Sequence, residues 1–168
     1  TQFTQLQMGA LTKTVIANLS ADQLAAVTPK QIDYLSAAAA AGLSDVQVHA
    51  LSPAQLAALS ATQIGGLSAT GIGGLTAAQI QALSTTQITS FTATGIKAFG
   101  PAQMAALSAA QIAALSTGAM TGLTADQVAD LNQTQLAALK PLQIAALSAA
   151  GVDGLTTTQM PLLTATQI

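Results

Sequence analysis

Starting at Phe3, every eighth residue through Leu163 is apolar, so the chain carries 21 consecutive octads in one phase without an insertion. Calling the apolar residue position 1, position 6 is also aliphatic throughout, with Ala40 the smallest. Position 2 is Ser or Thr in 18 octads, the others being Gly100, Asn132 and Lys140, and position 5 is Gln in 15. Ser/Thr followed three residues later by Gln is the capping box, in which the hydroxyl accepts from the N3 amide and the Gln reaches back to the cap's N–H. Positions 1 and 6 then stand as N′ and N4, the two ends of a hydrophobic staple. Pro29, Pro53, Pro101 and Pro141 all fall at position 3, which is N1, where proline is favoured. These rules agree on one register, with Leu107 to Ala114 as a typical unit.

A cap at position 2 must leave helical geometry, so the pattern predicts a new helix every eight residues, each of about seven residues. Helices so short are unstable alone and need positions 1 and 6 buried against neighbouring units. The predicted fold class is therefore all-α, a solenoid of short capped helices. A β-solenoid is the rival, since short Thr-containing repeats suit one. Positions 1 and 6 would face opposite sides of an unbroken strand, however, and abundant Ala and Gln favour helix.

The departures from the pattern set the size of one turn. Gln is replaced only at Val15, Ala39, Gly71, Gly95, Ala119 and Gly151, and the intervals are three, four, three, three and four octads, about 3.4 on average. Four of these octads also end in glycine at position 8, Gly42, Gly74, Gly122 and Gly154, three residues on and so on the same helix face. The spacing predicts about 3.4 helices per superhelical turn, with these ten small or apolar residues along one side, where close backbone approach or a docked surface would require small side chains. A duplication of ten octads would leave much the same trace. Packed at the usual 8–10 Å between helices, the turns would build a rod about 50–65 Å long. The cluster Gly65, Gly66, Gly71, Gly73 and Gly74 is expected to weaken its helices, and Pro161, at position 7, to distort its own.

Charge is scarce. Four Lys stand against six Asp, with no Glu, Arg, Cys or Trp. Charged residues and His49 avoid positions 1, 5 and 6, which marks position 5 as part-buried. The Gln column thus has a second reading beside capping: side-chain bonds between stacked turns. No basic surface is present to hold nucleic acid, and the longest apolar run, Ala37 to Leu43, falls far short of the roughly 20 residues of a membrane span. His49, the one histidine, has only Asp45 nearby in sequence, too few ligands for zinc, and the Asp are scattered without a calcium-loop pattern. The Ser/Thr column has no base beside it, and Gly71-Ile72-Gly73-Gly74 lacks the strand and lysine of a phosphate loop. No catalytic residue, cofactor or metal is expected, and the chain is not expected to be an enzyme.

Units such as Leu51-Ser52-Pro53-Ala54-Gln55-Leu56 and Leu123-Thr124-Ala125-Asp126-Gln127-Val128 resemble the opening helix of the DNA-binding repeats of TAL effectors. That likeness covers one turn only and lacks the second helix, the base-reading loop and the basic residues. Over its whole length the chain resembles the octad-rich segments of very large secreted or surface-exposed bacterial proteins, often adhesin-like. This resemblance implies an extended structural region, a stalk, spacer or filament subunit outside a bacterial cell. The array, 1–168, opens partway through an octad and stops partway through another without visible caps, as expected of a segment of a longer protein. A surface so weakly charged does little to keep copies apart, which predicts lateral self-association or tight docking onto another structural protein. The alternative is a binding module presenting its small-residue face to a polymer, a carbohydrate or ice.

Overall fold

The computed structural model describes residues 3–167, which form 19 α-helices and one 3-10 helix, with no strand among them. The helices run from Gln5–Gly9 to Ala149–Asp153, one per octad, so the β-solenoid is set aside. Each α-helix is four to six residues long rather than seven. The cap at position 2 is extended, as at Ser108 (φ −71°, ψ 161°), and position 1 before it also leaves the helix, as at Leu107 (ψ 125°), so at least two of eight residues are spent on the corner.

The corner repeats the same local chemistry. The cap hydroxyl accepts the N3 amide at 3.0–3.4 Å, at Ser36 and Thr12 for example, and Asn132 Oδ1 does the same at 3.0 Å. Gly100 and Lys140 make no side-chain cap and keep only the glutamine half of the box. The four position-3 prolines each begin a helix. Pro161 has the expected effect: its octad forms the 3-10 helix Met160–Leu162 in place of an α-helix. The Gly-rich stretch nevertheless holds the helices Ala61–Gly66 and Ala69–Gly73.

Helices three apart in sequence pack together along the array: Pro29–Asp33 on Pro53–Ala58, Ala37–Ala40 on Ala61–Gly66, Ala77–Ala82 on Pro101–Ala106. Positions 1 and 6 fill one continuous apolar column, with Ile64, Ile80, Ile96 and Leu136 wholly buried. Burying each such side chain is worth about 1.5–3 kcal/mol, which offsets the cost of nucleating a new helix in every octad. Phe91 and Phe99, enlarged at position 1 of adjacent octads, meet edge to face with centroids 5.1 Å apart.

Candidate functional site

The most elaborate chemistry of the chain lies between turns. Take Gln111, 4 % exposed at the third helical position of Ala109–Ala114. Its Oε1 accepts from the Ser108 backbone N–H at 2.9 Å, closing the capping box. Its Nε2 donates to the Ile80 carbonyl at 2.7 Å and the Leu83 carbonyl at 2.9 Å, which lie 31 and 28 residues earlier. Ile80 O also accepts the Leu83 N–H at 3.2 Å, whereas Leu83 O, at the corner between two helices, has no backbone donor. The glutamine therefore caps its own helix with one end and satisfies the corner of the preceding turn with the other.

From Gln47 to Gln167, all twelve position-5 glutamines make this same pair of bonds, at 2.6–3.2 Å. Gln31 makes the 28-residue bond alone, to Phe3 O at 2.8 Å. No buried side-chain nitrogen or oxygen among the described residues lacks a partner. The ladder reading and the capping reading of the Gln column thus hold together. A step of 28 residues is 3.5 octads, close to the average interval between the octads that lack Gln.

Those exceptional octads make a second kind of contact. A Cβ placed on Gly42, Gly74, Gly122 or Gly154 would lie 2.1–2.2 Å from a carbonyl oxygen of the preceding turn, that of Lys13, Asp45, Ala93 and Ala125 respectively. Gly66 holds the same position in an octad that keeps its Gln, and there the distance, to Ala37 O, is 3.0 Å. In these four of the six octads that lack the glutamine, the next turn settles closer and only glycine leaves room, whereas the Gly95 octad carries Ala98 at the same position. Ala39 and Ala119 are wholly buried. A Cβ on Gly71 would lie 2.8 Å from the Leu43 carbonyl, and one on Gly151 3.3 Å from that of Leu123, where a Gln would otherwise reach. At Gly95 it would meet Ile72 Cδ1 at 2.9 Å. The ten residues of the small-residue side are therefore turned onto the neighbouring turn of the same chain, save Val15, which is exposed in the first turn. Close backbone approach is what the geometry displays at Gly42, Gly74, Gly122 and Gly154.

Elsewhere the chemistry is sparse. His49 and Asp45 are exposed on the rim of a broad open groove with Thr70, Gly73, Thr76 and Pro101. Asp126 and Asp130 are exposed on one helix and its C-terminal cap. No group of three or more metal-ligating side chains occurs among the described residues, and no helix there is long and apolar enough to cross a membrane.

Within the clamp, the hydroxyl matters less than the amide. Ser108→Ala removes one acceptor from an amide near the helix surface and leaves the Gln111 bonds in place. Urea denaturation should show a loss of about 0.5–2 kcal/mol, the usual cost of an N-cap. A loss exceeding that of Gln111→Ala would contradict this ranking.

Fold and clamp together define a repeat protein of the α-solenoid class. A family model described as the ALTTAQ repeat matches residues 96–133, the stretch that holds Gln103, Gln111 and Gln127. Neither a curated protein nor a solved structure matches the chain.

Proposed function

We propose that this chain is a structural spacer, a rod-like repeat region acting as stalk or filament subunit outside a bacterial cell. The observation that carries this reading is the clamp itself. It recurs in the same geometry from Gln47 to Gln167, so each turn is built to receive the next and length grows by whole turns. The surface left over is Ala, Ser and Thr with ten charges on 168 residues, which supports contact with other copies or with another structural protein. The extracellular placement rests on the resemblance to octad-rich segments of secreted and surface proteins.

A spacer tolerates removal of whole turns. Deleting residues 75–130 takes out seven octads, or two 28-residue steps, and lets Gln135 meet the Leu51 carbonyl now held by Gln79. Small-angle X-ray scattering should show a folded rod shorter by about 16–20 Å with an unchanged cross-section. Collapse to a different shape, or loss of helix by circular dichroism, would overturn the spacer reading.

A further inference from the structure

The clamp fixes which residues lie in line on the outside of the rod, because each step of 28 residues returns to the same side. Stepping from Lys13 gives Ala41, Ala69, Lys97, Ala125 and Asp153, and stepping from Ala17 gives Asp45, Gly73, Pro101 and Ala129. The close contacts agree, since Gly42 abuts Lys13, Gly74 abuts Asp45 and Gly154 abuts Ala125. Residues 13–18 and their successors thus form a strip down one side, six residues wide in a turn of 28. Six of the ten charged residues fall on this strip: Lys13, Asp45, Lys97, Asp126, Asp130 and Asp153, all exposed. Their signs alternate from turn to turn, positive at Lys13, negative at Asp45, positive at Lys97 and negative at Asp126 and Asp130. Between Asp45 and Lys97 lies an uncharged turn with Ala69, Thr70 and Gly73 at its surface.

The open groove, about 740 Å³ in volume, occupies the same strip. Gly73 and Gly74 line its middle, Pro101 and Ala102 one side, and Asp45 and Val46 the other. Val46 is an apolar side chain left 66 % exposed, and a step of 28 from it leads to Gly74 and another to Ala102. A knob, a groove and charges of alternating sign therefore stand on one face.

We propose that two copies of this chain pair side by side and antiparallel through this strip, about a two-fold axis at the turn of Thr70 and Gly73. This rests on the spacer reading and names the face by which one rod meets another. With one copy turned end for end, the turn before the axis lies on the turn after it. Asp45 of each copy then comes beside Lys97 of the other, and Lys13 beside Asp126. Val46 of each copy enters the other's groove against Ala102. Every contact off the axis is made twice, as two-fold symmetry requires. At the axis Ala69, Thr70 and Gly73 meet their own counterparts, and so little side chain there lets the rods approach closely. A parallel pair would set Lys13 against Lys13, Asp45 against Asp45 and Lys97 against Lys97, so repulsion between like charges selects the antiparallel order. Exposed ion pairs contribute little binding, so the charges set the register and the apolar contact at Val46 holds the pair.

The test exchanges the charges. Sedimentation of the unaltered chain at low salt and rising concentration should show a monomer–dimer equilibrium. Asp45→Lys alone and Lys97→Asp alone should each keep the parent's circular dichroism and dimerise at least tenfold more weakly, because each sets like charges face to face. Mixed in equal amounts, the two variants should dimerise with each other as tightly as the parent does with itself, because both opposed pairs are restored. A second measurement uses the absence of cysteine from the chain. Gly73→Cys, at a site where a side chain meets nothing within 4 Å, should cross-link to a dimer on oxidation, whereas Ala110→Cys, exposed on another side, should not. Where a charge variant fails to fold, the cysteine variants decide. A parent that stays monomeric, charge variants that still self-associate, a mixture no tighter than either variant alone, or equal cross-linking of the two cysteine variants would overturn the inference. The monomer's own scattering tests the rod separately, so the spacer reading can stand when pairing fails.

Discussion

Gln111→Ala lowers the stability of this chain by about 2–4 kcal/mol, the expected cost of leaving buried backbone groups without their partner. The substitution strips the Leu83 carbonyl of its one donor, weakens Ile80, and unmakes the bond to the Ser108 amide. A helix cap alone would be worth about 1 kcal/mol, so a loss confined to that size would mean that the contact across turns contributes nothing. Gln111→Glu should be worse at neutral pH. The isostere keeps the shape and the Ser108 bond, but a carboxylate has no hydrogen to give and would face two carbonyls in a dry site. At pH 4 the protonated acid carries one O–H, so part of the loss should return. Urea denaturation of the parent and both variants at the two pH values reads all of this.

Neighbouring glycines should respond with opposite signs. Gly73→Ala is expected to stabilise by about 0.5–1 kcal/mol, because alanine is the better helix former and constrains the unfolded chain. Gly73 is exposed and a Cβ there would meet nothing within 4 Å. Gly74→Ala should destabilise by about 1–3 kcal/mol or more, the range for overpacking. Its Cβ would fall 2.2 Å from Asp45 O and 2.5 Å from Asp45 Cα, so two turns of backbone must part. Neither atom is the end of a flexible side chain that could swing aside. Melting temperatures of the two single variants decide the point, and a like sign for both would show that the close approach does not exist in solution.

The cap register is legible in the sequence because it is local. Thr4, Ser20 and Ser108 each find their glutamine three residues on, and nothing beyond the octad is needed to see it. The length of a turn is legible for a different reason. Losing Gln at Ala39, Gly71 and Gly95, and gaining Gly42 and Gly74, leaves a periodic trace of the contacts between one turn and the next. Two things are not legible. Gly74 is marked out from Gly73 by sharing position 8 with Gly42, Gly122 and Gly154, but the backbone it abuts, that of Asp45, is not legible. The destination of each Nε2 cannot be read either, since the unsatisfied Leu83 carbonyl exists only once the corner between two helices has formed. The helices are shorter than the octad suggests for the same reason, since the corner takes position 1 as well as the cap.

Fold and spacer both depend on one bond, the glutamine amide that ties each turn to the turn before it. Nuclear magnetic resonance of a chain with labelled Gln side chains addresses it directly. The Gln111 side-chain amide should exchange slowly with solvent and show through-space contacts to Ile80 and Leu83. A rapidly exchanging amide, or contacts confined to the octads directly before and after it, would contradict the clamp.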